Sequence, residues 1–407
     1  MRILILSHYF RPEINAPASR TYEHCKRWVA LGHDVTVVSC VPHHPMGKVY
    51  PGYKNRLYQS EEMDGIKVVR LLTYVTANEG VIKRTWNYVL YMLMAILAAP
   101  FLPKCDIVLS TSPQFFNGLA GYFVSKMKGV RWVLEIRDLW PDSILAVGAI
   151  KNPIIIRWLE GLERFVYRKA DHIVSVTHSF GSHILARGGR EDHLSVVTNG
   201  VDLSLFQPSQ EPLTALGGDS LDDKFVVSYV GTIGMAHGLE TILNTAKTLR
   251  DQEDIVFLLV GDGADRGRLE KLCQEEALDN VRFLGQVGKD DIPKLLQTSN
   301  ASLVILRKLE LFKSVIPSKI FEAMAMGTPI ILGVEGEAQE IVEKAGAGLC
   351  IEPESEGDLR EAILQLKAHP DLCTQIGKSG KAYVAEHYDR QVLAGRFEAI
   401  LKETAGR

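Results

Sequence analysis

Apolar residues along this chain fall into short continuous runs separated by amphipathic stretches, and the pattern is played out twice. Arg2–Ser7 reads as a short strand, followed by a loop and a helix around Thr21–Leu31 that Gly32 closes; Asp34–Ser39 is the next strand. Ile66–Leu72, Asp106–Ser110, Trp132–Ile136 and His172–Val176 continue the series. Near Asn199-Gly-Val-Asp202 it breaks, and residues 207–223 (QPSQEPLTALGGDSLDD) are polar with Pro and Gly, the composition of an interdomain linker. A second series begins with Phe225–Val230 and a helix from Gly238, in which Leu239, Ile242, Leu243 and Ala246 recur at helical spacing. Ile255–Val260, Val281–Leu284, Ala301–Leu306 and Pro329–Leu332 follow as strands. Continuous apolar strands separated by helices predict parallel sheets covered on both faces. The fold class expected is α/β, with two doubly wound domains facing across a cleft. Residues 1–205 and 206–385 would be the domains, and residues 386–407 a C-terminal helix packing back toward the first.

Length and composition fit this division. The 407 residues suit two domains of about 200 residues each. The net charge of −3 hides an asymmetry, +7 over residues 1–205 and −10 over the remainder. A basic first half fits an anionic partner such as a diphosphate or an anionic lipid surface. It carries no block of like charge and no stacking aromatics, which argues against nucleic acid. Six cysteines without a CxxC pair read as buried thiols in a reducing compartment, and residues 1–7 read as a strand rather than a leader, so a cytoplasmic location is expected. One segment departs from soluble character. Trp86–Leu102 (WNYVLYMLMAILAAPFL) follows Lys83 and Arg84, but its most apolar part would span only ~22 Å of a ~30 Å hydrocarbon core. Two readings stay open, a buried helix and a helix dipping into the membrane interface.

The candidate chemistry concentrates in Pro317-Ser-Lys-Ile-Phe-Glu-Ala-Met-Ala-Met-Gly-Thr-Pro329. Pro317 fits the first turn of a helix, and Gly327 with Pro329 closes it. A helix N-terminus offers free N–H groups and a partial positive charge to a phosphate, and Lys319 adds a full charge there. Glu322, one turn deeper on the same face, is placed to accept hydrogen bonds from a pair of sugar hydroxyls. Upstream, Tyr229-Val-Gly-Thr-Ile-Gly-Met-Ala-His-Gly238 is a strand leading into a loop whose Gly231 and Gly234 let backbone approach a phosphate, with His237 as a further donor. Leu258-Leu-Val-Gly-Asp-Gly263 reads equally as a ligand loop and as a plain strand terminus. In the first half, Glu135-Ile-Arg-Asp-Leu-Trp-Pro-Asp142 sets four charged residues and a Trp at the end of a buried strand, where a sheet enzyme places reactive groups. Asp138 is the candidate base there and Arg137 an anion contact. No DxD pair and no histidine spacing for a metal occurs in the sequence, so no site for a metal bridging a diphosphate is expected. The adjacent His43 and His44 read as loop residues.

These motifs together resemble the family-four retaining glycosyltransferases of the GT-B fold, whose domains are Rossmann-like, over nearly the whole chain. The second half carries YVGTIG…HGLETIL, LLVGDG, NVRFLG and PSKIFEAMAMGTPII in the family's order; the first carries MRILILSHYFRPE, GHDVTVVS, EIRDLWPDS and VVTNGVDLSLF. RPE, RDLWP and PSKIFE together are most similar to bacterial O-antigen and capsule transferases, including the N-acetylfucosamine transferases. Two departures stand out. Ser314 replaces the Glu that the family usually has eight residues before the position of Glu322, which makes a different hydroxyl pattern or a deoxy sugar plausible for the donor. Thr232 and His237 replace an Arg and a Lys, leaving diphosphate binding to Lys319 with help from Arg307 or Lys313.

The resemblance implies a metal-independent, retaining transfer of a sugar from a nucleotide-diphosphate donor to a polyprenyl-diphosphate-linked saccharide in bacterial surface-polysaccharide assembly. The donor would be a UDP-sugar, UDP-N-acetylfucosamine being one candidate, and the enzyme would sit peripherally on the inner face of the plasma membrane. The expected donor side is Gly231, Thr232, Gly234, His237, Arg307, Ser318, Lys319 and Glu322; the expected acceptor side is Glu13, Arg20 and Arg137. No cofactor is expected beyond the donor itself. A UDP-sugar 2-epimerase of the same fold and a non-catalytic sugar-nucleotide-binding subunit are the alternatives.

Overall fold

Ile3, Leu4, Ile5 and Leu6 have no polar face to offer solvent, and β1 (Arg2–Leu6) lies inside an eight-stranded sheet with these four side chains at most 1% exposed. The computed structural model describes residues 1–13, 15–76, 81–142, 152–209, 215–216, 219–221 and 223–406. They divide into two compact units, Met1–Thr198 together with Leu393–Arg407, and Asn199–Val392. Much of the polar stretch 207–223 lies outside the described residues.

In the first unit the strands follow as β2 (Asp34–Cys40), β3 (Tyr58–Met63), β4 (Ile66–Leu71), β5 (Ile107–Thr111), β6 (Arg131–Ile136), β7 (His172–Ser175) and β8 (Leu194–Val196), in spatial order β3-β4-β2-β1-β5-β6-β7-β8. All neighbours pair in parallel except β3, which runs antiparallel to β4 at the edge. The hydrophobic pattern missed β3 because its residues, YQSEEM, alternate exposed and half-buried and form no apolar run. Helices α2 (Val81–Ala98), α3 (Asn117–Lys128), α4 (Pro153–Lys169) and α5 (His178–Ala186) bury Ala95, Val124, Val166 and Ile184 in one core with Leu4, Val108 and Leu134. The opposite face, carrying Ile3, Ile5 and Val133, is covered by Tyr22, Cys25 and Trp28 of α1 (Ala16–Ala30) and by Leu393, Phe397 and Leu401 of the terminal helix Arg390–Thr404.

The second unit holds β9 (Phe225–Val230), β10 (Ile255–Val260), β11 (Val281–Gly285), β12 (Ala301–Ile305), β13 (Ile330–Gly333) and β14 (Gly348–Cys350), all parallel, in the order β11-β10-β9-β12-β13-β14. This is the doubly wound order, with the reversal beside β9, where such sheets bind ligands beyond the strand C-termini. On one face lies α6 (Glu240–Thr248), burying Ile242, Leu243 and Ala246 as the helical spacing predicts. On the other, after α7 (Arg266–Glu275) and α8 (Ile292–Thr298) in the chain, lies α9 (Lys319–Met326), with Ile320, Phe321, Ala323 and Met324 buried.

All six cysteines are free, but only Cys25, Cys40 and Cys105 are buried; Cys273, Cys350 and Cys373 are half-exposed, a correction to the reading of six buried thiols. They sit on helices or an edge strand that the apolar-run pattern could not orient.

Candidate functional site

Three neighbouring strands of the second unit end in glycine: Gly231 after β9, Gly261 after β10 and Gly285 in β11. Gly231 N–H donates to Val260 O at 2.8 Å and Gly261 N–H to Gly285 O at 2.7 Å. A Cβ on Gly261 would stand 1.8 Å from Gly231 O, and one on Gly263 2.3 Å from Ile233 O. Loop-on-loop packing therefore accounts for the glycines of LLVGDG without any ligand. Gly231 differs: its φ is +147°, and a Cβ there would meet the Lys319 amine at 2.8 Å.

Lys319 is the first residue of α9, with Ser318, exposed, as the N-cap. Pro317 lies one residue ahead of that cap and not in the first turn; its carbonyl accepts from Ile320 N–H at 3.2 Å. The Lys319 side chain is half-buried overall, yet its Nζ is shut off from solvent and has no hydrogen-bond partner. It sits 3.8 Å from the centroid of the Tyr229 ring. Burial pulls its pKa down to about 7, with the Glu322 carboxylate opposing the shift. A buried amine with three donors and no acceptor is costly, and phosphate oxygens would complete it. Glu322 stays half-buried, one turn on from Lys319.

Other residues expected on the donor side gather at the loop that follows Tyr229. Tyr229 Oη–H donates to Thr232 O at 2.7 Å, and Thr232 itself is exposed. His237 closes the turn after Gly234, its Nδ1 3.3 Å from Gly234 O and its ring edge-on to Tyr229. Burial first, then the Lys319 charge, lowers the His237 pKa, so the ring is neutral at pH 7. Arg307 is exposed; its N–H donates to Ala236 O at 3.0 Å, and its Cγ would lie 3.5 Å from a Cβ on Gly238. Gly231, Thr232, Gly234, His237 and Arg307 thus border one loop, with Lys319 beneath it. Lys313 is committed to Glu310 at 2.7 Å and Glu335 at 3.4 Å, and Ser314 Oγ–H to Leu311 O. Tyr229 was not singled out from the sequence, because inside FVVSYV it reads as one more core residue; only the fold puts a cation on its face.

In the first unit the structure turns two expected acceptor contacts inward. Glu13 is 1% exposed, and its Oε1 accepts from the backbone N–H groups of His43 and His44, both at 2.9 Å. Burial raises its pKa, while those N–H groups oppose the rise. Arg20 is buried and donates to Glu135 Oε1 at 2.9 Å and to the carbonyls of Thr198 and Val197, each at 2.7 Å. Burial alone would lift the Glu135 pKa, but Arg20 and Arg137 outweigh it and hold the carboxylate ionised. Arg137 is half-buried, donates to the carbonyls of Pro17 and Ala16, both at 3.1 Å, and keeps its charge although burial lowers its pKa to about 10. Glu13 and Arg20 accordingly shape the unit, and Arg137 is the member of this set with an exposed part. Asp138, half-buried, lines a cavity of about 20 Å³ with Gln114, Trp140 and Tyr167, room for little more than one water. Among the described residues no group of three or more His, Cys, Asp or Glu is placed to hold a metal.

Comparison with known proteins agrees with this arrangement. Residues 15–200 match the glycosyl transferase 4-like domain, and residues 218–383 match the glycosyl transferases group 1 family. WcaI of Escherichia coli K12, whose name places it as a glycosyl transferase of colanic acid biosynthesis, is 28% identical over 381 residues, 90% of this chain and 92% of that one. Sucrose-phosphate synthase from Thermosynechococcus elongatus superposes with a TM-score of 0.76 at 18% identity, covering 99% of this chain and 98% of that one. Anabaena HepE, solved in complex with UDP-glucose, gives 0.69 at 17% identity, covering 99% and 100%. Between them the two domain matches account for the greater part of both units, and the chain is a glycosyltransferase of the GT-B fold that pairs a glycosyl transferase 4-like domain with a group 1 domain.

Proposed function

We propose that this glycosyltransferase moves a sugar, with retention, from a UDP-sugar to a polyprenyl-diphosphate-linked saccharide in the assembly of a bacterial surface polysaccharide. The observation that carries the donor half is the solvent-shielded Lys319 amine, over Tyr229, without an acceptor. The name of the 28% relative and the +7 balance of residues 1–205 support the acceptor half. In this reading Lys319, the N-terminus of α9 and the loop N–H groups after Gly231 hold the diphosphate, and Glu322 takes the ribose hydroxyls. The bond from the anomeric carbon to the β-phosphate oxygen breaks while the acceptor hydroxyl bonds on the same face. Its proton passes to the departing phosphate oxygen, so Asp138 is not required as a base. The negative charge that builds on the leaving diphosphate meets fixed positive charge, a role some transferases give to a metal ion. The departure at Ser314 leaves a deoxy or N-acetyl donor, UDP-N-acetylfucosamine among them, as the first to try.

Pure protein incubated with UDP-sugars and a lipid-diphosphate saccharide tests the reading. Glycosylated lipid supports it, an epimerised donor indicates a 2-epimerase, and binding without turnover indicates a non-catalytic subunit. Transfer is expected to persist in excess EDTA; complete loss that magnesium or manganese restores would overturn the metal-independent mechanism. Gly231→Ala is expected to displace the Lys319 amine and weaken UDP binding about tenfold, about 1.4 kcal/mol, by calorimetry.

A further inference from the structure

Helices α2, α3 and α4 bury side chains in the same core on one face of the first sheet, with α3 packed against both of the others. Their outer surface is unusually apolar. Trp86 is 62% exposed, Leu97 66%, Phe101 79% (in the turn that ends α2), Met127 53%, Ile154 77% and Trp158 57%. Trp86–Leu102 is therefore neither wholly core nor wholly surface: Tyr91, Ala95 and Ala99 pack inward while Trp86 and Leu97 face out. A large exposed apolar patch marks an interaction surface. Charge identifies its partner, since the three helices carry eight Lys or Arg against two Glu, and one of those, Glu163, is buried against His183. A second copy of the same face would bring like charge onto like charge. Among the described residues no helix is long and apolar enough to cross a membrane.

We propose that this three-helix face docks on an anionic bilayer, seating Trp86, Leu97, Phe101, Ile154 and Trp158 among the headgroups while the flanking lysines and arginines engage lipid phosphates. The two exposed indoles, Trp86 and Trp158, suit the interfacial zone. The docking deepens the reading of a lipid-linked acceptor but is tested without one, so that either can fail alone.

Wild-type protein is mixed with vesicles of phosphatidylcholine alone, or containing a third of phosphatidylglycerol, and floated. Co-flotation with the anionic vesicles only, reduced by salt, is the expected result. Lipids brominated near the headgroup should quench tryptophan emission, and the quenching should be lost in the pair Trp86→Phe, Trp158→Phe, since Trp28 and Trp132 are 1% exposed and the half-buried Trp140 is stacked on Phe115. The triple variant Leu97→Gln, Phe101→Gln, Ile154→Gln should weaken vesicle binding at least about tenfold while UDP binding stays unchanged. If that variant fails to fold, the exposed pair Lys83→Gln, Arg157→Gln decides, with severalfold weaker binding expected. No anionic-vesicle binding, no quenching by brominated lipid, or unchanged binding in the folded variants would overturn the proposal. So would wild-type protein that sediments as a dimer which the triple variant dissociates.

Discussion

Glu322→Ala is expected to lower the affinity for a UDP-sugar tens- to nearly a thousandfold and to remove transfer, while the melting temperature barely moves. Glu322 is half-buried on the side of α9 that carries Lys319, away from the packed Ile320, Phe321 and Met324, so its removal opens no core cavity. Losing a charge-assisted pair of hydrogen bonds to the ribose costs about 2–4 kcal/mol. A second effect works in the same direction, because the Glu322 carboxylate is what counters the fall in the Lys319 pKa. Without it the amine is charged in a smaller fraction of molecules, and the diphosphate loses its counter-charge. Calorimetry with UDP measures both effects together, and an unchanged dissociation constant would remove Glu322 from the site.

Lys319 is expected to make donor binding pH-dependent in a defined sense. With a pKa of about 7 in the ligand-free protein, the amine is charged below that pH and neutral above it. The groups facing it are Glu322, which favours the charged form, and neutral His237 and Tyr229, whose phenol burial pushes well above its ordinary value. A bound diphosphate strongly favours the charged amine and raises its pKa. Affinity should then be highest below pH 7 and fall about tenfold per pH unit above it, until the pKa of the complex is reached. Binding at pH 8 should take up close to one proton, seen as a dependence of the calorimetric heat on the ionisation enthalpy of the buffer. A UDP-sugar is the proper probe, since the terminal phosphate of UDP titrates at about 6 by itself. Lys319→Ala should bind about 10- to 150-fold more weakly at pH 7 and lose both the pH dependence and the proton uptake. Proton uptake that persists in Lys319→Ala would move the effect to another group. In the ligand-free protein the same shift predicts that stability rises as pH goes from about 7 toward 10.5, where the unfolded chain still holds the proton and the folded one does not.

The α/β class and the doubly wound sheets were legible in the sequence because parallel strands buried on both faces are apolar at nearly every position. IVFLLV and IILG meet that demand throughout, and FVVSYV departs from it only at the small, buried Ser228, whose hydroxyl donates to Ala301 O. The edge strand YQSEEM escaped it, since an edge buries little and sets no such demand. In the Pro317–Pro329 stretch, spacing alone put Lys319 and Glu322 one turn apart at a helix start. The glycines were harder to read. Gly261 and Gly263 exist for packing against the carbonyls of Gly231 and Ile233, whereas Gly231 leaves room for an amine 88 positions away in the sequence. No local pattern separates those two reasons, because each depends on what lies across the loop.

Charged residues show the same division. Arg20 and Arg137 look alike in sequence, yet Arg20 is spent on Glu135 and two carbonyls inside the first unit and Arg137 keeps an exposed part. Hydrophobic periodicity and helix-start chemistry, both local properties, determined the layers of this protein and named Lys319 and Glu322. Only the tertiary structure decided that the Lys319 amine rests unpartnered on Tyr229, that Glu13 and Arg20 face inward, and that three helices share one exposed apolar face. Burial, desolvation and surface adjacency are set by residues far apart in the chain, and they exist only once the chain has folded.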